Sequence, residues 1–227
     1  MLMPTPVRAF VFDAYGTLYD VHSLVTLAEE LAPKQGAVLS QVWRAKQLEY
    51  TWLSALMASP AFPRSDFATL TTRALDYAIA HLMIPLGDAE RQRLVAAYRT
   101  LAPFADAADM LARLAPRPRI ILSNGTLEML RPLVAQSPLA PHLEDILSVD
   151  AADTYKPAPA VYRLATERLR LPPEAIAFVS ANGWDAAGAK AFGFTTFWIN
   201  RQGVPIERHA PEPDFVVATL GHIPAIV

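Results

Sequence analysis

The sequence predicts an α/β protein: a doubly wound parallel sheet with a helical segment inserted after the first strand. Three observations predict it. A short apolar run near the beginning breaks abruptly into polar residues; four more such runs appear only in the second half, separated by helical patterns; and the long stretch between carries helical periodicity without a convincing strand.

The first run, residues 7–12, is nearly continuous in apolar character, stops at Asp13 and turns at Gly16 and Thr17, as a buried strand does. From Val21 to Leu101 the alternation of strand and helix lapses. There Val38, Val42, Ala45, Leu48, Trp52 and Leu56 recur at three- or four-residue steps and predict one helix with a single apolar stripe. Further helices are expected over 67–81 and 89–98. The later strands are expected at 120–122, 146–149, 176–179 and 195–199. Leu127, Leu130 and Val134 mark a helix between the second and third strands despite Pro132, and Val161, Leu164, Ala165 and Leu169 mark another before the fourth. Strands alternating with helices give a parallel, Rossmann-like sheet. The expected domains are a core of residues 1–20 and 102–227 and a helical cap of residues 21–101, packed over the end of the sheet.

Composition narrows the function. Hydrophobic residues make up 52% and charged residues 19% of the chain, as in a globular protein. No apolar run reaches the roughly 18 residues of a membrane helix. The opening MLMPTPVRAFVFD does not read as a signal peptide, so the expected location is cytoplasmic. A formal charge of −2 and scattered basic residues offer nothing to nucleic acid. The absence of cysteine excludes thiolate chemistry. His22, His81, His142, His209 and His222 lie too far apart for a helical zinc pair. Any hydrolytic chemistry must then rest mainly on carboxylates, hydroxyls and cations.

In a doubly wound sheet, ligands bind beyond the carboxyl ends of the strands, where strand order reverses. The first strand ends in Asp13, the second in Ser123 and Asn124, and the fourth in Ser180, Asn182 and Asp185, while Lys156 follows the third. Two carboxylates, an ammonium, hydroxyls and amides are what covalent catalysis by a carboxylate requires. Taken singly, each residue has a plainer reading: Asp13 as a turn residue, Lys156 as a loop cation, Arg44 as an arginine at the margin of the apolar stripe, and Ser123, Thr17 and Asn182 as helix caps.

Five segments in order, FDAYGTLYDV (12–21), WRAKQLEYTW (43–52), LSNGT (122–126), YKPAPAVY (155–162) and SANGWDAAGAKAFG (180–193), make the chain resemble the L-2-haloacid dehalogenases of the haloacid dehalogenase-like superfamily. The resemblance implies that Asp13 attacks the carbon bearing the halogen and forms an ester, and that Lys156 holds Asp13 ionised. It implies that Ser123 and the backbone N–H groups of Ala14 and Tyr15 bind the substrate carboxylate. Arg44 and Asn124, with the edge of Trp184, would receive the halide. Thr17 would orient Asp13. Asp185, aided by Asn182 and Ser180 and with Tyr162 orienting its neighbours, would direct water onto the ester. Tyr15, Leu48 and Trp184 would wall the alkyl chain. The implied partners are a small 2-halocarboxylate and halide, and a homodimer formed through the cap.

Phosphatases of the superfamily carry an acid two residues after the nucleophile and bind magnesium beside it. Here that residue is Tyr15, and Ser180 stands where a further acid is often found. A magnesium-dependent phosphatase is the second reading, a silent carboxylate-binding protein the third, and opening of an azetidine carboxylate by the same nucleophile a variant within the family.

Overall fold

The computed structural model describes residues 6–208 and 210–227. Residues 1–5, which open the stretch read above for a leader, and His209 lie outside the described residues. Six strands form one sheet: β1 (Ala9–Phe12), β2 (Arg119–Ser123), β3 (Asp145–Ser148), β4 (Ile176–Ser180), β5 (Thr195–Ile199) and β6 (Phe215–Val217). They are parallel throughout, in the order β3-β2-β1-β4-β5-β6. Strand order reverses between β1 and β4, which pair from Ala9↔Ile176 to Phe12↔Val179.

Burial explains the sequence pattern. Every residue of β1, β2 and β4 is buried, so these strands carry no polar alternation and read as continuous apolar runs. The sixth strand was not expected from the sequence. Three residues at a sheet edge, two of them exposed, are too few to show a period.

Four helices fill the segment after β1: α1 (Ser23–Leu31), α2 (Gly36–Leu56), α3 (Phe67–Leu82) and α4 (Asp88–Ala97). The chain leaves and returns side by side, with Tyr19 bridged to Pro103, and Asp20 N–H donating to Ala102 O at 2.8 Å. The remaining helices are α5 (Ala107–Arg113), α6 (Leu127–Ala135), α7 (Pro159–Leu169) and α8 (Gly183–Phe192). Of these, α6 packs on β3, and α8 on β4 and β5. Helix α6 accommodates Pro132 in its interior, and Thr126 caps it by accepting from Met129 N–H.

Helix α2 departs from the expected stripe. Val38 and Leu56 are exposed, and the face turned inward carries Leu39, Trp43, Gln47, Thr51 and Ser54. The reason is polar packing against α3. Gln47 Nε2 donates to Thr71 Oγ1 at 2.6 Å, and Trp43 Nε1 donates to Thr71 O at 2.8 Å. Hydrogen-bonded polar side chains take core positions that a count of apolar residues assigns elsewhere.

Candidate active site

Asp13 is the first residue beyond β1, and its N–H donates to Val179 O of the neighbouring β4 at 2.9 Å. Its carboxylate lies over the point where strand order reverses and is almost buried. The turn that follows needs Gly16, whose φ of +86° is open to glycine and unfavourable for L side chains. Thr17, one residue on, donates from Oγ1 to Asp13 Oδ2 at 3.0 Å and accepts from Ala181 N–H at 2.8 Å. Asn182 Nδ2 donates to the same oxygen at 3.0 Å.

The other oxygen of Asp13 meets Lys156. Lys156 Nζ donates to Asp13 Oδ1 at 3.1 Å and to Asp185 Oδ2 at 2.9 Å, and is itself only 1% exposed. Burial favours the neutral amine, yet the two carboxylates outweigh it and raise the lysine above its ordinary value. Asp185 sits in the first turn of α8 and is fully buried. Burial pushes its carboxyl up to about 6, against the pull of Lys156. Tyr162 donates to Asp185 Oδ1 at 2.9 Å and fixes that carboxylate from the other side; burial raises this phenol further.

These contacts decide what a divalent cation would find. The two carboxylates already share an ammonium, Tyr15 is no acid, and among the described residues no group of three His, Cys, Asp or Glu could hold a metal ion. The donors present do not fit magnesium.

A cavity of about 10 Å³ opens above Asp13, lined by Tyr15, Arg44, Leu48, Phe67, Ser123, Asn124, Asn182 and Trp184. Arg44 comes from α2. Its Nη1 donates to Gln47 Oε1 at 2.6 Å and its Nη2 reaches Asn182 Oδ1 at 3.5 Å. The Tyr15 ring stacks on Phe67 and meets Tyr98 edge-on. Its buried hydroxyl has no hydrogen-bond partner among the described residues, and burial raises its pKa, so it remains a neutral donor. Gly125 permits this ring position, since a Cβ there would stand 2.8 Å from Tyr15 Cε2. Ser123 and Asn124 follow β2: Ser123 Oγ accepts from Gly125 N–H, and Asn124 Oδ1 accepts from Lys156 N–H at 3.1 Å. Trp184 stands edge-on to Trp52 of α2.

Among the residues singled out from the sequence, Asp13, Thr17, Lys156, Asn182, Asp185 and Tyr162 form one hydrogen-bonded network. Tyr15, Arg44, Leu48, Ser123, Asn124 and Trp184 line the cavity, and Ala14 is buried directly after Asp13. Ser180 is buried too, but its Oγ accepts from Asn182 N–H at 3.1 Å, and none of its hydrogen bonds among the described residues goes to a carboxylate. Three contributors escaped the sequence reading. Phe67 opens α3 and walls the cavity, while Gln47 and Tyr98 stand behind Arg44 and Tyr15. The only trace of any of them was Gln47 inside the segment WRAKQLEYTW.

Comparison with known proteins places the chain in a family. The family model for haloacid dehalogenase-like hydrolases matches residues 7–193. An (S)-2-haloacid dehalogenase of Pseudomonas putida is 42% identical over 96% of this chain and 95% of its own length. A crystal structure of an L-2-haloacid dehalogenase superimposes with a TM-score of 0.94, at 42% identity, over 98% of this chain and 99% of that one. The Xanthobacter autotrophicus L-2-haloacid dehalogenase with chloropropionic acid covalently bound superimposes with a TM-score of 0.88, at 39% identity, over 97% of this chain and 98% of that one.

Proposed function

Because the chain belongs to the haloacid dehalogenase-like hydrolases and, within them, groups with the (S)-2-haloacid dehalogenases, we propose that it converts short (S)-2-haloalkanoic acids into (R)-2-hydroxyalkanoic acids without a metal. Asp13 is the nucleophile. The observation that carries the reading is the buried Asp13–Lys156–Asp185 bridge beneath a cavity that also holds Arg44.

In the proposed reaction the substrate carboxylate sits against Ser123, the N–H groups of Ala14 and Tyr15, and the free hydroxyl of Tyr15. Its alkyl chain lies between Tyr15, Leu48, Phe67 and Trp184. One oxygen of Asp13 displaces the halogen in line and leaves an ester. Lys156 pairs with Oδ1 of the attacking carboxylate, and Thr17 and Asn182 hold its plane. Arg44 and Asn124, with the edge of Trp184, take the halide. Asp185 then accepts a proton from water as that water attacks the ester carbonyl. The tetrahedral adduct breaks its bond to the alkoxy oxygen, which takes the proton and leaves as the hydroxyl of the product, restoring Asp13 and Asp185; Asn182, Ser180 and Tyr162 support this step. Halide leaves without protonation, so Tyr15 in place of an acid does no harm to this reaction, although it would disable phosphate ester hydrolysis.

A core of residues 1–20 and 102–227 under a cap of residues 21–101, a homodimer formed through the cap and a cytoplasmic location complete the proposal. Among the described residues, no helix is long and apolar enough to cross a membrane.

The test is the origin of the product's hydroxyl oxygen. One turnover with excess enzyme in heavy-oxygen water should give unlabelled hydroxyacid and leave the label in the peptide containing Asp13. Full labelling of the first product would mean that water attacks directly and Asp13 or Asp185 is only a general base. Halide release from chloroacetate should also survive exhaustive chelation; loss restored by magnesium would revive the phosphatase reading.

A further inference from the structure

Two larger cavities flank the catalytic one, and they differ in chemistry. The first, about 670 Å³, is lined largely by apolar residues including Trp52, Leu56, Pro157 and Trp184. Its one cation, Lys156, is already held between two carboxylates. The second, about 480 Å³, is lined by Arg44 and Asn182, the same two side chains that wall the catalytic cavity, and extends past His22 and Arg201 to Val204. Arg44 and Asn182, 3.5 Å apart, form the partition between inner and outer spaces.

Arg201 is the unusual member of this outer basin. Its Nη1 and Nη2 donate to Gly16 O and Thr17 O, each at 3.1 Å, and one face of the guanidinium is covered by the Phe104 ring, 3.6 Å from Cζ to the centroid. A guanidinium carries five N–H donors, so further donors remain on its open edge. Neither Arg201 nor Arg44 is ion-paired among the described residues. Two guanidiniums with no carboxylate at ion-pair distance among the described residues thus border one basin beside the place where a halide would be set free, with Asp20 and Asp106 acting on Arg201 only from further off.

Building on the dehalogenation proposed above, we propose that the basin is a second anion site through which halide leaves, handed from Arg44 to Arg201. A departing anion needs cations along its path, because desolvation by apolar walls opposes its passage. The basin supplies them and the apolar groove does not.

The test is bromide binding to the free enzyme, followed by stopped-flow quenching of tryptophan fluorescence. Val204→Trp narrows the basin at an exposed position. It should slow bromide association and dissociation together by at least fivefold, with the dissociation constant unchanged, since an obstruction acts equally in both directions. Arg201→Met should lower the association rate at least fivefold through lost electrostatic steering. Arg201→Lys should recover most of it, which separates the charge from the anchoring of residues 16 and 17. Leu56→Trp, in the apolar groove, should leave both rates unchanged. Wild-type rates in either Val204→Trp or Arg201→Met, or slowing by Leu56→Trp, would overturn the proposal. The dehalogenation reading fails on a different result, the absence of halide release from chloroacetate by the unaltered enzyme.

Discussion

Two buried carboxylates share one ammonium, and they are not equivalent. Asp13 accepts from Lys156, Thr17 and Asn182 and lines the cavity, whereas Asp185 is fully buried and accepts from Lys156 and Tyr162. Burial lifts Asp185 from 3.8 to about 6. The folded chain therefore holds this proton more tightly than the unfolded chain, and this group's contribution to stability is present below pH 3.8 and lost as pH rises through about 6. The sign for catalysis is opposite, because only the ionised form can accept a proton from water. We expect the single-turnover rate of ester hydrolysis to fall as pH drops below about 6, approaching tenfold per unit at the acid end, with a midpoint under the free-enzyme value because esterified Asp13 no longer adds the negative charge that helps raise Asp185. In Asp185→Asn that limb should vanish and the ester should accumulate. A wild-type rate that stays flat over the whole acid range in which the protein remains folded would remove Asp185 from the role of base. Asp13, Lys156 and Asp185 were legible in the sequence because each breaks or follows an apolar strand with a charge. Phe67, Gln47 and Tyr98 were not, since an aromatic or an amide within a helix carries no mark of what it faces in three dimensions.

Helix α2 shows the limit of periodicity most clearly. Its length and its delivery of Arg44 follow from the sequence, but the buried face does not, because Gln47, Thr51 and Ser54 occupy it and apolar Leu56 faces solvent. The helix is also pinned at its beginning. A Cβ added to Gly36 would stand 2.2 Å from Glu29 N of α1, and that backbone has no rotamer with which to escape. Gly36→Ala must push α1 and α2 apart, an overpacking that costs about 1–3 kcal/mol. Urea unfolding should show this loss. The turnover number should fall with it, since α2 carries Arg44 to within 3.5 Å of Asn182. Unaltered stability would mean that the two helices separate freely and that their crossing does not fix Arg44. Strands β1 and β4 behave in the opposite way: buried throughout, they are apolar up to their polar exits, and of the six strands only the short edge strand β6 went unseen.

A catalytic cavity of about 10 Å³ holds about one water and no halocarboxylate, so the reaction we propose requires the walls contributed by α2 and α3 to stand away from the sheet as substrate arrives. What draws the two together is concentrated at Arg64, between α2 and α3. Its guanidinium donates to Asp150 at 2.8 Å and to Asp153 at 3.1 Å, and it stacks over the Tyr155 ring. Tyr155 OH donates back to Ser65 O at 2.7 Å. Both acceptor residues belong to the turn that leads into Lys156, so the clamp joins the carrier of Arg44 to the carrier of Lys156. The side chain of Arg64 is 6% exposed and that of Asp153 is 88% exposed, which leaves the outer half of the clamp open to screening. Arg64→Met keeps the apolar stem over Tyr155 and deletes only the charge. A loss of about 1–2 kcal/mol from the closed state corresponds to a rise in KM of roughly 5- to 30-fold, with a smaller change in the rate of the bound complex. The wild-type KM should also climb with a non-halide salt between about 50 and 500 mM more steeply than that of the variant, because the variant has lost the charge of the clamp while Arg44 and Arg201 remain to be screened in both. A variant with wild-type KM and the same salt dependence, merely less stable to heat, would show that Arg64 braces the fold without governing closure. Closure would then rest on the apolar contact of Trp52 with Trp184.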